Sequence, residues 1–213
     1  MNTKLISISK PVIEGINTAE DLISYCARVS NPSNQLNTDT APKLLKYLIT
    51  HKHWSPYEQV SFTVEIQTSR AIAAQILRHR SFSFQEFSQR YSQSTSFEDI
   101  EWRMQGKTNR QVGDEEIDLP PEIKYEVDTT LTNCKELYDK LIENGIAKEC
   151  ARMILPLSTS TTLYMTGNVR SWIHYLELRT KEDTQKEHRE IANGIKKIFV
   201  KEFPVTSCAL NWI

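Results

Sequence analysis

An α+β fold in a single domain, with a mostly antiparallel sheet flanked by helices, is the class this sequence predicts. Three observations lead there. Short stretches alternate apolar and polar residues with period two, and longer ones repeat apolar residues every three to four positions. The two kinds do not alternate regularly along the chain, which disfavours a doubly wound parallel sheet. A length of 213 residues suits one domain with a sizeable core, spanning 1–213. Apolar residues make up 39%, charged residues 25%, and there are only six glycines, so the usage is neither disordered nor fibrous.

Taken in order, Lys4 to Ile8 alternates as a first strand, and Thr18 with Glu20 and Asp21 caps a helix that runs through Arg28. Ala41 to His51 reads as a second helix, with Leu44, Leu45 and Leu48 on its apolar side. After the turn at Trp54-Ser55-Pro56, the apolar residues Val60, Phe62, Val64 and Ile66 alternate with Ser61, Thr63 and Glu65, as a half-buried strand requires. From Ser69 the period changes, and Ile72, Ala73, Ile76 and Leu77 form the expected buried side of a helix that delivers the chain into Arg78. Ser92 to Pro121 is polar, acidic towards its end and without a period, and is expected to be an irregular excursion. Ile123 to Asn144 and Lys148 to Ile154 follow as helices separated by a stop at Gly145. Thr161 to Met165 reads as a strand, and Asn168 to Arg179 and Gln185 to Phe203 as two more helices.

The formal net charge of −1 gives no global footprint for nucleic acid or a membrane surface, so any anion site must be local. Cys26, Cys134, Cys150 and Cys208 form no C-x-x-C pair in a chain with no secretory start; they read as reduced thiols in a cytoplasmic protein. Apolar runs such as Met153 to Leu157 are far too short to span a bilayer, and no metal site is expected.

The densest chemistry begins at Gln75 and Arg78, three apart and so on one helix face. His79, Arg80, Glu86, Ser88, Arg90 and Tyr91 follow, packed around Phe82, Phe84 and Phe87. Guanidinium groups bind phosphate through paired N–H donors and stack on planar rings, so this set suits a phosphorylated planar ligand better than a metal. Spacing alone also fits a solvated charged turn with an apolar anchor. In the helix from Asn168 to Arg179, the residues Val169, Trp172, Ile173 and Leu176 make a buried stripe. Arg170 and His174 flank it on one edge, and Asn168, Tyr175 and Arg179 on the other. By themselves His174 reads as a surface or satisfied core histidine, and Arg179 as macrodipole compensation worth at most about 1 kcal/mol.

Arg78-His79-Arg80, then seven residues, Ser88, one residue and Arg90-Tyr91-Ser92 together resemble the signature of the flavin-dependent thymidylate synthases. His53-Trp54-Ser55-Pro56-Tyr57-Glu58, Phe62-Thr63-Val64, Arg152-Met153-Ile154-Leu155-Pro156, Asn168-Val169-Arg170 and Leu178-Arg179 resemble further family blocks, in the family order. Gln185 and Glu187, and the polar stretches Trp102 to Gln105 and Asn109 to Gln111, add weaker likeness. The sequence departs from the pattern at Gln59, where histidine is common, at Gln85, where asparagine is common, and at Gln89, where some relatives have glycine.

The resemblance implies conversion of dUMP to dTMP, with 5,10-methylenetetrahydrofolate as carbon donor and FAD, reduced by NADPH, as hydride source. By position it implies dUMP binding by Gln75, Arg78, Glu86, Ser88, Gln89, Arg90, Arg152 and Arg179, with Arg179 activating the pyrimidine. It implies FAD binding by Ser55, Arg78, His79, Arg80, Glu86, Asn168, Arg170 and His174. A homotetramer with sites shared between subunits is implied as well. A cysteine nucleophile is unsupported, since no cysteine follows a proline or has a histidine within three positions, and Ser88 has no adjacent base to activate it. Two rival readings are an NADPH flavoreductase without methyl transfer, and a nucleotide or single-stranded nucleic-acid binding module in which Phe82, Phe84 and Phe87 stack on bases.

Overall fold

The computed structural model describes residues 1–93 and 95–213, so the Ser92 to Pro121 stretch is followed except at Ser94, which lies outside the described residues. Strands β1 (Asn2–Ile8), β2 (Ser61–Ser69), β3 (Ser83–Glu86) and β6 (Ser160–Asn168) form one antiparallel sheet in the order β1-β2-β6-β3. Helices α1 (Ala19–Ala27), α2 (Ala41–Thr50), α3 (Arg70–Ile76), α6 (Val169–Arg179), α7 (Lys186–Glu202) and α8 (Pro204–Ala209) pack with this sheet around one core. The α+β expectation holds.

The β2–β6 register shows why the sheet has one covered face. Phe62 lies opposite Gly167, Val64 opposite Met165 and Ile66 opposite Leu163, and all six residues are buried. Thr63 opposite Thr166 and Glu65 opposite Tyr164 point to the other face, where the two threonine hydroxyls meet at 2.8 Å. On the covered face Trp172 stacks on Phe62 with ring centroids 4.6 Å apart. Its indole N–H donates to the carbonyls of Phe62 and Gly167 at 3.2 and 3.1 Å, so α6 is bolted to both central strands.

Several boundaries follow from local chemistry. Thr18 caps α1 through a complete capping box with Asp21, and Ser69 and Asn168 cap α3 and α6 by accepting from Ile72 and Ser171 backbone N–H groups. Other expectations need correction. Leu77 is not on the buried side of α3: it lies one residue past the helix end and is 39% exposed. Tyr175, expected on a polar flank of α6, is fully buried, because α7 packs beside α6 and covers that edge. The helix from Lys148 splits into α5 (Lys148–Ala151) and a 3-10 turn over Arg152–Ile154, ahead of Pro156.

The polar excursion is more ordered than its composition suggests. It carries β4 (Arg103–Gln105) paired with β5 (Gly113–Glu116) in a two-stranded sheet, and a bridge from Phe97 to Thr159. Beyond it α4 (Pro121–Glu143) runs 23 residues and buries only Tyr138. Ile123, Tyr125 and Leu137 of α4 are exposed. Among the described residues no helix is long and apolar enough to cross a membrane.

Candidate active site

The chain leaves α3 at Leu77, turns through residues 78–82 and returns as β3 along β6. Gly167 fixes where that turn sits. A Cβ there would lie 2.4 Å from the Phe82 ring, so only glycine lets Phe82 rest on the β6 backbone. Phe82 then packs edge-on to Trp172 at 4.7 Å and against Tyr175 at 5.8 Å. His79, three residues earlier, is thereby brought edge-on to Tyr175 with centroids 4.9 Å apart.

The last turn of α6 delivers Arg179 to this place, where its Nε donates to His79 Nε2 at 2.9 Å. Burial, aided by the nearby charges of Arg179 and His174, lowers the His79 pKa to about 4. His188 of α7 is fully buried beside it, and desolvation with the Arg179 and His79 charges lowers its pKa to about 3. Both imidazoles are therefore neutral near pH 7, and Arg179 is the cation they surround. Tyr175 meets His188 Nε2 at 3.1 Å, and burial pushes the phenol pKa upward.

From His188 the contacts continue to the residues expected at the nucleotide. His188 Nδ1 lies 3.4 Å from Gln75 Oε1, and Gln75 Nε2 donates to Gln185 Oε1 at 2.7 Å. Gln185 Nε2 donates in turn to Glu187 at 2.9 Å. Glu187 also pairs with Arg103 of β4, which pairs with Glu101, itself paired with Lys186. The excursion is thus docked on the start of α7 by an ion-pair network.

Four of the other expected nucleotide residues, Glu86, Ser88, Gln89 and Arg90, lie at and just beyond the end of β3. Glu86, at the end of β3, pairs with Arg70 at 2.9 Å and accepts from the Thr161 hydroxyl at 3.0 Å. Arg70 also donates to the Phe87 carbonyl at 2.8 Å, which anchors the chain where Ser88, Gln89 and Arg90 begin. Gln89 is buried at 7% exposure, yet among the described residues its Nε2 has no hydrogen-bond partner, and neither does the buried Nε of Arg152. Arg70 and Gln75 are five residues apart on α3, about 7.5 Å of helix rise, so this one helix spans from the Glu86 group to the Arg179 group.

A cleft of about 560 Å³ opens beside the turn, lined by Trp54, Ser81, Asn168, Arg170, His174 and Glu177 among others. It collects three of the residues expected at FAD, and the His174 charge acts on His79, which ties the cleft to the Arg179 group. Arg170 pairs with Glu58 at its rim, and Ser55 is exposed at the start of the same turn. Asn168 commits its carbonyl oxygen to capping α6 and keeps its amide donors. Arg78, Arg80 and Arg90 are exposed and form no ion pair among the described residues. A separate cavity of about 590 Å³ has a mostly acidic polar lining, with Glu98, Asp99, Glu116, Asp118 and Asp128 beside Lys124 and Trp102, which disfavours a phosphate.

A family described as "Thymidylate synthase complementing protein" matches residues 11–205. A probable flavin-dependent thymidylate synthase of Paramecium bursaria Chlorella virus 1 is 55% identical, with 100% of each chain covered. The chain belongs to the flavin-dependent thymidylate synthase family. A member from Synechocystis is 51% identical, again over 100% of both chains. The structure resembles that of a UMP/dUMP methylase, PolB from Streptomyces cacaoi bound with 5-Br dUMP, with a TM-score of 0.81, 26% identity and coverage of 100% and 95%.

Set in this flavin-dependent thymidylate synthase family, the geometry shows what spacing left out. Arg70, Tyr175 and His188 were not legible as site residues. His188 did carry a signal, since it occupies an apolar-stripe position of α7 with Ile191, Ala192, Ile195 and Phe199, where a histidine needs a buried partner. Arg70 carried none, because its partner Glu86 lies 16 residues away across a turn and a strand.

Proposed function

We propose that this chain converts dUMP to dTMP, taking the carbon from 5,10-methylenetetrahydrofolate and the reducing equivalents from NADPH through FAD. The observation that carries this reading is Arg179, a guanidinium fixed at one nitrogen by a neutral histidine, with no other partner among the described residues. A fork held in that way has its remaining N–H groups free for a carbonyl-rich ring. Placed beside N3 and its flanking carbonyls, it stabilises negative charge on the uracil and makes C5 electron-rich enough to accept the folate carbon. A cysteine nucleophile is not needed for this, and the four free cysteines lie on α1, α4, α5 and α8, none of them on the helix that carries Arg179.

The donor set of the cleft fits a flavin dinucleotide. Arg170, His174 and the Asn168 amide offer cationic and neutral donors, Trp54 offers a flat apolar wall, and Arg78 and Arg80 are exposed on the turn that carries the lining residue Ser81. These residues, with Ser55, His79 and Glu86, would hold FAD, which when reduced supplies the hydride that completes the methyl group. Gln75, Arg78, Glu86, Ser88, Gln89, Arg90, Arg152 and Arg179 would hold dUMP. The Gln89 amide, without a hydrogen-bond partner among the described residues, and the exposed Arg90 support a ligand there, in a site that we read as completed by a second subunit. Exposed Ile123, Tyr125 and Leu137 on α4 support assembly, which we read as a homotetramer. Free thiols and nucleotide chemistry suit the cytoplasm.

The test is product analysis with dUMP, NADPH, FAD and isotopically labelled methylenetetrahydrofolate. The reading expects dTMP carrying the label. NADPH oxidation without dTMP would leave a flavoreductase in its place, and binding of oligonucleotides with no flavin chemistry would leave a nucleic-acid module.

A further inference from the structure

We propose that Glu187, held by Arg103, is a positioning residue that fixes the amide of Gln75 and the tautomer of His188 through a one-way relay of hydrogen bonds. The proposal rests on the reading of Gln75 as a nucleotide-binding residue.

The direction follows from what each group is able to donate. Burial works against ionisation of Glu187, but hydrogen bonds from Arg103 and Gln185 outweigh it and hold the carboxyl below its ordinary range. The group is then acceptor-only, with one oxygen taken by Arg103 and the other by Gln185. Gln185 must turn its amide N–H₂ towards Glu187, which leaves its carbonyl to accept from Gln75. Gln75 must therefore present its own carbonyl to His188, whose Nδ1 carries the proton. Nε2 of His188 is left to accept from the Tyr175 hydroxyl.

Two glutamines in series with a neutral histidine and a tyrosine have two self-consistent arrangements, related by flipping every amide and the tautomer. A carboxylate at one end admits only one of them. Gln75 then keeps one N–H and one carbonyl lone pair in defined places, and a ligand meets a single donor and acceptor pattern. Arg103, which secures the carboxylate, comes from β4 in the polar excursion, so that segment acts on Gln75 and His188 through Glu187.

Glu187→Gln preserves shape and allows both directions. We expect its KM for dUMP to rise about tenfold while kcat at saturating dUMP falls by less than about threefold, with flavin content retained. In a Gln75→Ala background the same substitution should add no further rise in KM. A Glu187→Gln enzyme with an unaltered KM, or an additive rise in the double variant, overturns the proposal. So does a variant that loses only flavin and kcat, as a purely structural role would produce. ¹⁵N NMR of histidine-labelled wild-type protein reads the relay without turnover: His188 protonated on Nδ1 is expected, and protonation on Nε2 overturns it. If Gln75→Ala leaves the dUMP KM unaltered, it is the nucleotide reading of Gln75 that fails, and the NMR result still decides the relay.

Discussion

Arg179 Nε donates to His79 Nε2 across 2.9 Å, and this one contact fixes both partners. Arginine has no acceptor, so Nε2 of His79 must be the unprotonated nitrogen, as its lowered pKa of about 4 requires near neutral pH. Replacing Arg179 with alanine should leave FAD binding intact and lower dTMP formation on the order of 10²–10³-fold, the usual loss on removing a donor aimed at developing charge. Arg179→Lys should not restore turnover, because an ammonium cannot both bond His79 and offer a planar fork. Labelled-dTMP assays with matched flavin content check both variants. Near-normal turnover in Arg179→Ala would remove it from the catalytic role.

The two depressed histidines set a pH dependence of stability. In the unfolded chain both titrate near 6.5, whereas in the fold His79 titrates at about 4 and His188 at about 3. Between these values the unfolded state binds more protons, so stability falls as pH drops below 6.5 and the contribution is absent above it. His188→Gln should therefore show a shallower fall of Tm than wild type over that acid window. Parallel curves for the two proteins would contradict the buried neutral histidine.

Gly167→Ala should damage the site from a distance. The new methyl would occupy the place of the Phe82 ring, and forcing an extra carbon into a filled core costs about 1–3 kcal/mol. Phe82 must move, and His79 and the 78–82 turn move with it. Thermal unfolding should show a lower Tm, and flavin titration a weaker FAD affinity. A variant with a lowered Tm and unaltered FAD affinity would separate the packing role from the site.

The arrangement of Arg179 and Arg90 in different groups leads to a complementation experiment. Mixing inactive Arg179→Ala and Arg90→Ala proteins under conditions of subunit exchange should restore activity in a fraction of sites, if each site takes one residue from each chain. Dead mixtures of exchanged subunits would place both residues in one subunit's site.

Much of the fold was legible because it rests on period and caps. The alternation from Val60 to Ile66, the stripe of α6 and the Thr18 cap all describe contacts within one element. What escaped depends on partners far along the chain. Strand β3 is four residues long and owes its state to pairing with β6. The β4–β5 hairpin has an irregular register and a wholly exposed second strand, so it shows no alternation. At the candidate site the resemblance pointed to Arg179, but the contacts around that residue were not legible. Tyr175 and His188 meet only because α6 and α7 pack side by side, and Gln75 reaches Gln185 across 110 positions.

The flavin spectrum of the purified protein tests the central claim most directly. Protein reconstituted with FAD should bleach with NADPH, and then recover its colour when dUMP and methylenetetrahydrofolate are added together, with dTMP appearing in step. Protein that takes up no flavin, or whose reduced flavin reoxidises without forming dTMP, would contradict the account.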